Sequence, residues 1–190
     1  MEIRIRQAQP EDGASIAAIY EPYIRDTVIT FEEKPVTADE MSQRIAQTLP
    51  RYPFLVAEDV GQVIGYAYGG PHQARASYRW SVNVAVYIAG THHRRGIGST
   101  LYGQLLRLLA AQNLVTAIAG ITMPNAASIR LHESVGFKPI ALYHNIGFKL
   151  GAWRDVGWWE RALIDPPPIT PAEPTPWTDM PAFSPVNFNL

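Results

Sequence analysis

The chain has 190 residues, 47% of them hydrophobic and 17% charged, which is enough for one domain with an apolar core. A formal net charge of −1 argues against a general nucleic-acid-binding role. No cysteine is present, which excludes a disulfide scaffold, a thiolate zinc site and a cysteine nucleophile, and fits a reducing cytoplasm. The start, Met1-Glu2-Ile3-Arg4-Ile5-Arg6, lacks the apolar stretch of a signal peptide. No run approaches the roughly 18 apolar residues of a membrane span. The expectation is a soluble, cytoplasmic, single-domain protein with neither a nucleic-acid nor a membrane partner.

In chain order, Glu2–Gln7 alternates and predicts a strand. Pro10 and Asp12 open a helix with Ile16, Ile19, Tyr20 and Tyr23 on its apolar face. Thr37 and Glu40 form a capping box for a helix that Pro50 stops. Phe54–Glu58 and Val63–Gly69 read as strands joined by a turn. Tyr78–Ile88 reads as a long strand, with Val82, Val84, Val86 and Ile88 on one face and Ser81, Asn83, Ala85 and Tyr87 on the other. Gly96–Asn113 is predicted helical, with Ile97, Leu101, Leu105, Leu108 and Leu109 at helical spacing. Val115–Ile121 has the pattern of a buried strand, and Ala126–Val135 that of a short helix ended by Gly136. Phe137–Leu142 and Val156–Leu163 close the pattern as strands. Residues 1–164 thus read as an α/β or α+β domain around a single sheet. Half of the 16 prolines follow Leu163, so residues 165–190 read as an extended tail. Two readings of the tail stand: disorder, or anchoring through Trp177, Phe183 and Phe188 on the domain or on a partner subunit.

The stretch from Val84 to Leu101 carries the chemistry. A β-rich strand leads through Gly90-Thr91-His92-His93-Arg94-Arg95-Gly96-Ile97-Gly98-Ser99-Thr100-Leu101 into a helix. The first turn of a helix offers unpaired N–H groups and positive potential to an anion. Gly96 and Gly98 let a backbone approach a pyrophosphate, and Arg94 and Arg95 add charge. Leucine at position 101 breaks the dinucleotide fingerprint, and no lysine supports a nucleoside-triphosphate loop.

What remains resembles the central motif of the GNAT N-acetyltransferase superfamily. A second stretch, Asn125-Ala126-Ala127-Ser128-Ile129-Arg130-Leu131-His132-Glu133-Ser134-Val135-Gly136-Phe137, is similar to that superfamily's later helix. The segments Gly65–Tyr68, Ala74–Trp80, Gly98–Tyr102 and Trp153–Trp159 further resemble the phosphinothricin and methionine-sulfoximine N-acetyltransferases. The resemblance implies a GNAT fold, a single mixed, largely antiparallel twisted sheet flanked by helices. It also implies a homodimer that moves acetyl from acetyl-CoA to the α-amine of a small amino-acid analogue.

On that resemblance, the pantetheine arm runs along Val84, Val86, Tyr87 and Ile88. The pyrophosphate rests on His93, Arg94, Arg95, Gly96, Ile97, Gly98, Ser99 and Thr100, with Asn125 and Ser128 near the arm. The family's Gln/Arg position is His93 here. Phe31, Arg75, Tyr78 and Tyr87 are the expected substrate contacts, Arg75 through its bidentate fork. Gln73 replaces a basic residue of the phosphinothricin enzymes, which tilts the expectation toward a sulfone or sulfoximine. The family's glutamate base aligns with Asn83, and an amide cannot accept a proton at useful pH. Three readings of the proton transfer stand: a water chain ordered by Asn83 with the base elsewhere, His132 as acid or base, or a catalytically weak or inactive protein that binds acetyl-CoA. An acetyltransferase for another amine, such as a protein N-terminus, is the further alternative for function. Core packing stands beside ligand contact for Phe31 and Tyr87, N-capping for Asn125, and a surface ion pair for Arg75. His72, His92, His93, His132 and His144 show no ligand spacing, so no metal is expected.

Overall fold

The computed structural model describes residues 2–189. The strands are β1 (Glu2–Gln7), β2 (Phe54–Asp59), β3 (Gln62–Pro71), β4 (Ser81–Ile88), β5 (Thr116–Thr122), β6 (Lys138–Lys149), β7 (Ala152–Ala162) and β8 (Val186–Asn189). The helices are α1 (Gly13–Asp26), α2 (Ala38–Thr48), α3 (Ile97–Ala111) and α4 (Ala126–Ser134). All eight strands form one sheet in the order β6-β7-β5-β4-β3-β2-β1-β8. Every pairing is antiparallel except β4 with β5. The predicted mixed, mainly antiparallel sheet flanked by helices is what forms.

Two apolar cores lie on opposite faces of this sheet. On one face α3 buries Ile97, Leu101, Tyr102, Leu105, Leu106 and Leu109 against Val82, Val84 and Ala117. Each fully buried leucine there contributes about 1.5–3 kcal/mol. Leu108, predicted on the buried face, is only partly covered. On the other face α1 and α2 place Ile16, Tyr20, Ile24, Met41 and Ile45 over Phe54, Val56 and Tyr66. α1 tolerates Pro22 inside it. The buried Ile16, Ile19, Tyr20 and Ile24 outweigh the lost backbone bond. α2 starts with the predicted capping box: Glu40 N–H donates to Thr37 Oγ1 at 3.2 Å, and Thr37 N–H to Glu40 Oε2 at 2.8 Å.

Three element boundaries depart from the sequence reading. β4 begins at Ser81, not Tyr78, because Tyr78 N–H and Arg79 N–H turn back to the carbonyls of Arg75 and Ala76. β6 and β7 are far longer than predicted and join in a two-residue turn at Leu150 and Gly151, both with positive φ. Such turns normally announce themselves with Asn-Gly or Asp-Gly, and leucine hides this one. The pairing of β6 with β7 also shifts between Tyr143 and Gly147, where Asp155 accepts from Asn145 N–H at 2.8 Å. That irregularity breaks the alternation that sequence periodicity relies on.

The proline-rich C-terminal segment lies on the rest of the chain. Trp177 is buried and its Nε1–H donates to Gln7 Oε1 at 3.0 Å. Phe183 and Phe188 pack against the α3-side core, and β8 adds to the β1 edge with Ile3 opposite Phe188. Gln112 holds the same segment through Thr175 O at 2.8 Å, and Arg79 through Glu173. No helix among the described residues is long and apolar enough to cross a membrane.

Candidate functional site

The site is organised by β4. Its β3 side is paired along its length, from Val82 opposite Pro71 to Ile88 opposite Gly65. Its β5 side is paired only at Ser81, Val82 and Asn83. From Val84 onward the two parallel strands separate, leaving a strand edge to which an extended polar chain can bond.

A cleft of about 550 Å³ opens at this separation, between the end of β4, the following turn, the start of α3 and one face of α4. His92, His93, Arg94, Arg95 and Arg130 line it, and no Asp or Glu does. A chain of near-zero net charge thus gathers basic side chains at this cleft.

The turn from β4 to α3 is shaped for an anion. Arg94 (φ 61°) and Gly96 (φ 77°) are both left-handed, and such turns gather backbone N–H groups into a concavity. The first N–H groups of α3 point the same way. Gly96 supplies the left-handed geometry without a Cβ penalty. Gly98 serves packing as well: a Cβ there would stand 3.1 Å from Leu131 Cδ2 of α4. The two glycines therefore have different reasons, where the sequence suggested one.

The predicted cofactor residues divide into two groups. Val86, Tyr87, Ile88, His93, Arg94, Arg95, Gly96, Ile97, Gly98, Ser99, Asn125 and Ser128 line the cleft. Val84 and Thr100 do not: Val84 is buried in the core, and Thr100 Oγ1 donates to Gly96 O at 3.0 Å. His93 is exposed, yet its Nε2 lies 2.8 Å from Tyr23 Oη and 3.0 Å from Ile88 O and so fastens the turn to α1. Asn125 caps α4 by accepting from Ser128 N–H at 3.1 Å. Sequence reading missed Tyr23, Ile29, His92 and the α4 stripe Ala127, Arg130, Leu131 and Ser134. The stripe's spacing of three, four and seven marks one helix face and was a usable signal.

His132 faces the other way. It is buried between α4 and α3, outside the cleft lining. Its Nδ1–H donates to Ser128 O at 2.8 Å, so its Nε2 accepts from the Tyr102 hydroxyl at 2.9 Å. Burial pushes its pKa down, and the Ser128 carbonyl opposes that only in part. Both ring nitrogens are engaged within the chain, and through them His132 ties α4 to α3.

Asn83 and Tyr87 alternate with Val82, Val84 and Val86 and so lie on the face of β4 away from α3. Asn83 occupies the last paired rung, opposite Gly70 of β3 and Ile118 of β5. Its Oδ1 is 2.9 Å from Nδ1 of His72, and the Tyr78 ring meets His72 edge-on at 5.9 Å. Arg75 is exposed at the start of the same loop. Phe31 sits elsewhere, over Gly147 of β6, where a Cβ would come within 2.4 Å of its ring. Tyr87 meets Tyr20, Tyr23 and Tyr66 in an aromatic cluster at 4.8–5.3 Å while also lining the cleft. A second cavity of about 370 Å³, lined by Tyr20, Arg44, Tyr66, Tyr68, Gly70 and Pro71 among others, reaches the Asn83 rung through Gly70. Among the described residues, no cluster of His, Cys, Asp and Glu could hold a metal ion.

A family model described as an acetyltransferase (GNAT) domain matches residues 5–158. The phosphinothricin N-acetyltransferase of Streptomyces viridochromogenes is 40% identical over 90% of this chain and 94% of its own. The L-methionine sulfoximine/L-methionine sulfone acetyltransferase of Salmonella typhimurium is 34% identical over 84% and 94%. A phosphinothricin acetyltransferase from Sinorhizobium meliloti, solved in complex with acetyl-CoA, superposes with a TM-score of 0.85 at 34% identity, covering 89% of this chain and 92% of that one. The open β4 edge and basic cleft fit acetyl-CoA as the co-substrate, and the chain belongs to the GNAT family of N-acetyltransferases.

Proposed function

We propose that the protein transfers acetyl from acetyl-CoA to the α-amine of a small amino-acid analogue of the phosphinothricin, methionine sulfoximine or methionine sulfone class. The observation that carries this reading is the unpaired β4 edge running into a cleft whose charged side chains are all basic. An acetyl-pantetheine arm fits that edge, and phosphates fit the turn at 94–99. Backbone N–H groups near Val84–Tyr87 would polarise the thioester carbonyl, and the amine would attack it directly. The amine would come from the face that bears Asn83, with Arg75 drawing in the substrate carboxylate and Tyr78 bounding its side chain. The names of the relatives support the substrate class.

A homodimer is part of this reading. Ile140, Leu142, Tyr143, Ile146, Phe148, Leu150 and Trp153 are all roughly half exposed along the β6–β7 hairpin, and β6 is a sheet edge. A long apolar edge strand is normally covered. A second reading, a GNAT-fold protein that binds acetyl-CoA without turnover, draws on the amide of Asn83. Thiol release from acetyl-CoA, followed across pH with methionine sulfone, methionine sulfoximine and phosphinothricin, separates the two. Substrate-dependent thiol release supports transfer. Thermal stabilisation by acetyl-CoA without thiol release supports the binder.

A further inference from the structure

Asn83 is not chemically idle. Its amide nitrogen points to Pro71 O at 3.4 Å, which leaves Oδ1 toward His72 Nδ1 at 2.9 Å. An amide oxygen only accepts, so Nδ1 of His72 must carry the hydrogen. The neutral ring then has its lone pair on Nε2. No hydrogen-bond partner for that atom is found among the described residues. The ring is half-buried and braced by Tyr78 at 5.9 Å. Asn83 itself lies on the last rung before β4 and β5 part. The arrangement therefore sets an oriented imidazole on Asn83, at the rung where β4 and β5 part.

We propose that His72 is the general base of the reaction and that Asn83 is its positioning residue. This rests on the transferase reading above. Nε2, directly or through one water, takes a proton from the substrate ammonium. The freed amine pair attacks the thioester carbon, and the C–S bond breaks. The second amine proton leaves with the thiolate as thiol, and the imidazolium returns its proton to water. An imidazole can do this near neutral pH, whereas the Asn83 amide cannot. Of the ionisable side chains, Tyr78 meets the ring at 5.9 Å, Arg75 lies three residues along the same loop, and Glu160 and Lys138 stand two and three strands from Asn83 on its rung. Arg44 and Arg51 line the adjoining cavity from the α2 side.

The test measures thiol release against pH for the wild type and for His72→Ala, Asn83→Ala and His72→Ala/Asn83→Glu, using methionine sulfone, methionine sulfoximine and phosphinothricin. Acetyl-CoA-induced thermal stabilisation is read on each variant as the check of folding and cofactor binding. His72→Ala should lose about 10²-fold or more in kcat at neutral pH, within the usual worth of a general base. Its rate should climb with pH toward the amine's own pKa, and added imidazole should restore part of it. Asn83→Ala should alter the pH profile while keeping KM for acetyl-CoA. Glutamate at position 83 in the His72→Ala background should recover activity by supplying a base on the same rung. A His72→Ala enzyme with wild-type rate and profile overturns the base proposal and leaves the transferase reading standing. A wild type that binds acetyl-CoA but releases no thiol with any of the three amines overturns both.

Discussion

Replacing Trp177 with alanine tests whether the C-terminal segment is part of the fold's stability. The indole is 6% exposed, and its Nε1–H donates to Gln7 Oε1 at 3.0 Å. Deleting a buried Trp side chain costs about 3–5 kcal/mol, from lost burial and the cavity left behind. Gln7 is only half-buried, so water can replace the lost bond and adds about 1 kcal/mol at most. At about 2–4 °C per kcal/mol for a chain of this size, Tm should fall by roughly 6–24 °C. The segment can also detach as a whole, so a chain ending at Ile164 sets the ceiling on that loss. Calorimetry of the wild type, Trp177→Ala and the shortened chain gives all three values. Stabilisation by acetyl-CoA should persist in each, because the segment contributes no residue to the cleft lining. A Tm change below about 2 °C for Trp177→Ala would refute the argument and leave β8 as a dispensable edge.

Other expectations are more local. Burial holds the folded pKa of His132 below its unfolded value, so the unfolded chain binds the extra proton first. This contribution to stability is full above the ordinary histidine range, near pH 6.5, and is lost as pH falls through and below it. His132→Phe should lower stability by about 1–3 kcal/mol through the orphaned Tyr102 hydroxyl, yet flatten the pH dependence of urea midpoints below pH 7. Gly96→Ala forces a Cβ into left-handed backbone at about 1–2 kcal/mol, and calorimetric titration should show acetyl-CoA binding weakened up to about tenfold. Arg130→Ala should raise the Kd for acetyl-CoA about 3–10-fold at low salt and less at high salt, since an exposed charge is screened. On the proposed homodimer, Ile146→Lys on β6 should lower the sedimentation coefficient from that of a dimer to that of a monomer.

The sequence was most legible where one face of an element is buried. α3 shows its leucines at helical spacing because the other side of that helix meets water. Thr37 and Glu40 announced α2 because a capping box is a local bond that needs no tertiary partner. The part of β6 beyond Leu142 was hidden for the opposite reason. Both of its faces are largely exposed within one chain, so no alternation marks them. Its apolar residues read as noise until the hairpin is seen to present them together.

The candidate site divides along the same line. The anion-holding turn is local and could be read from glycine, arginine and helix start alone. His72 could not, since its assignment depends on Asn83, eleven residues away and across a strand pair. A lone histidine in a loop carries no periodicity and no motif. Its value lies in a tautomer fixed by the Asn83 amide oxygen, an atom that can only accept. His132 is the contrasting case: a carbonyl fixes its tautomer too, but a hydroxyl occupies the remaining nitrogen. A residue can act on a proton only through an atom left open toward the substrate. By that criterion the amide at position 83 marks a relocated base more readily than a lost one.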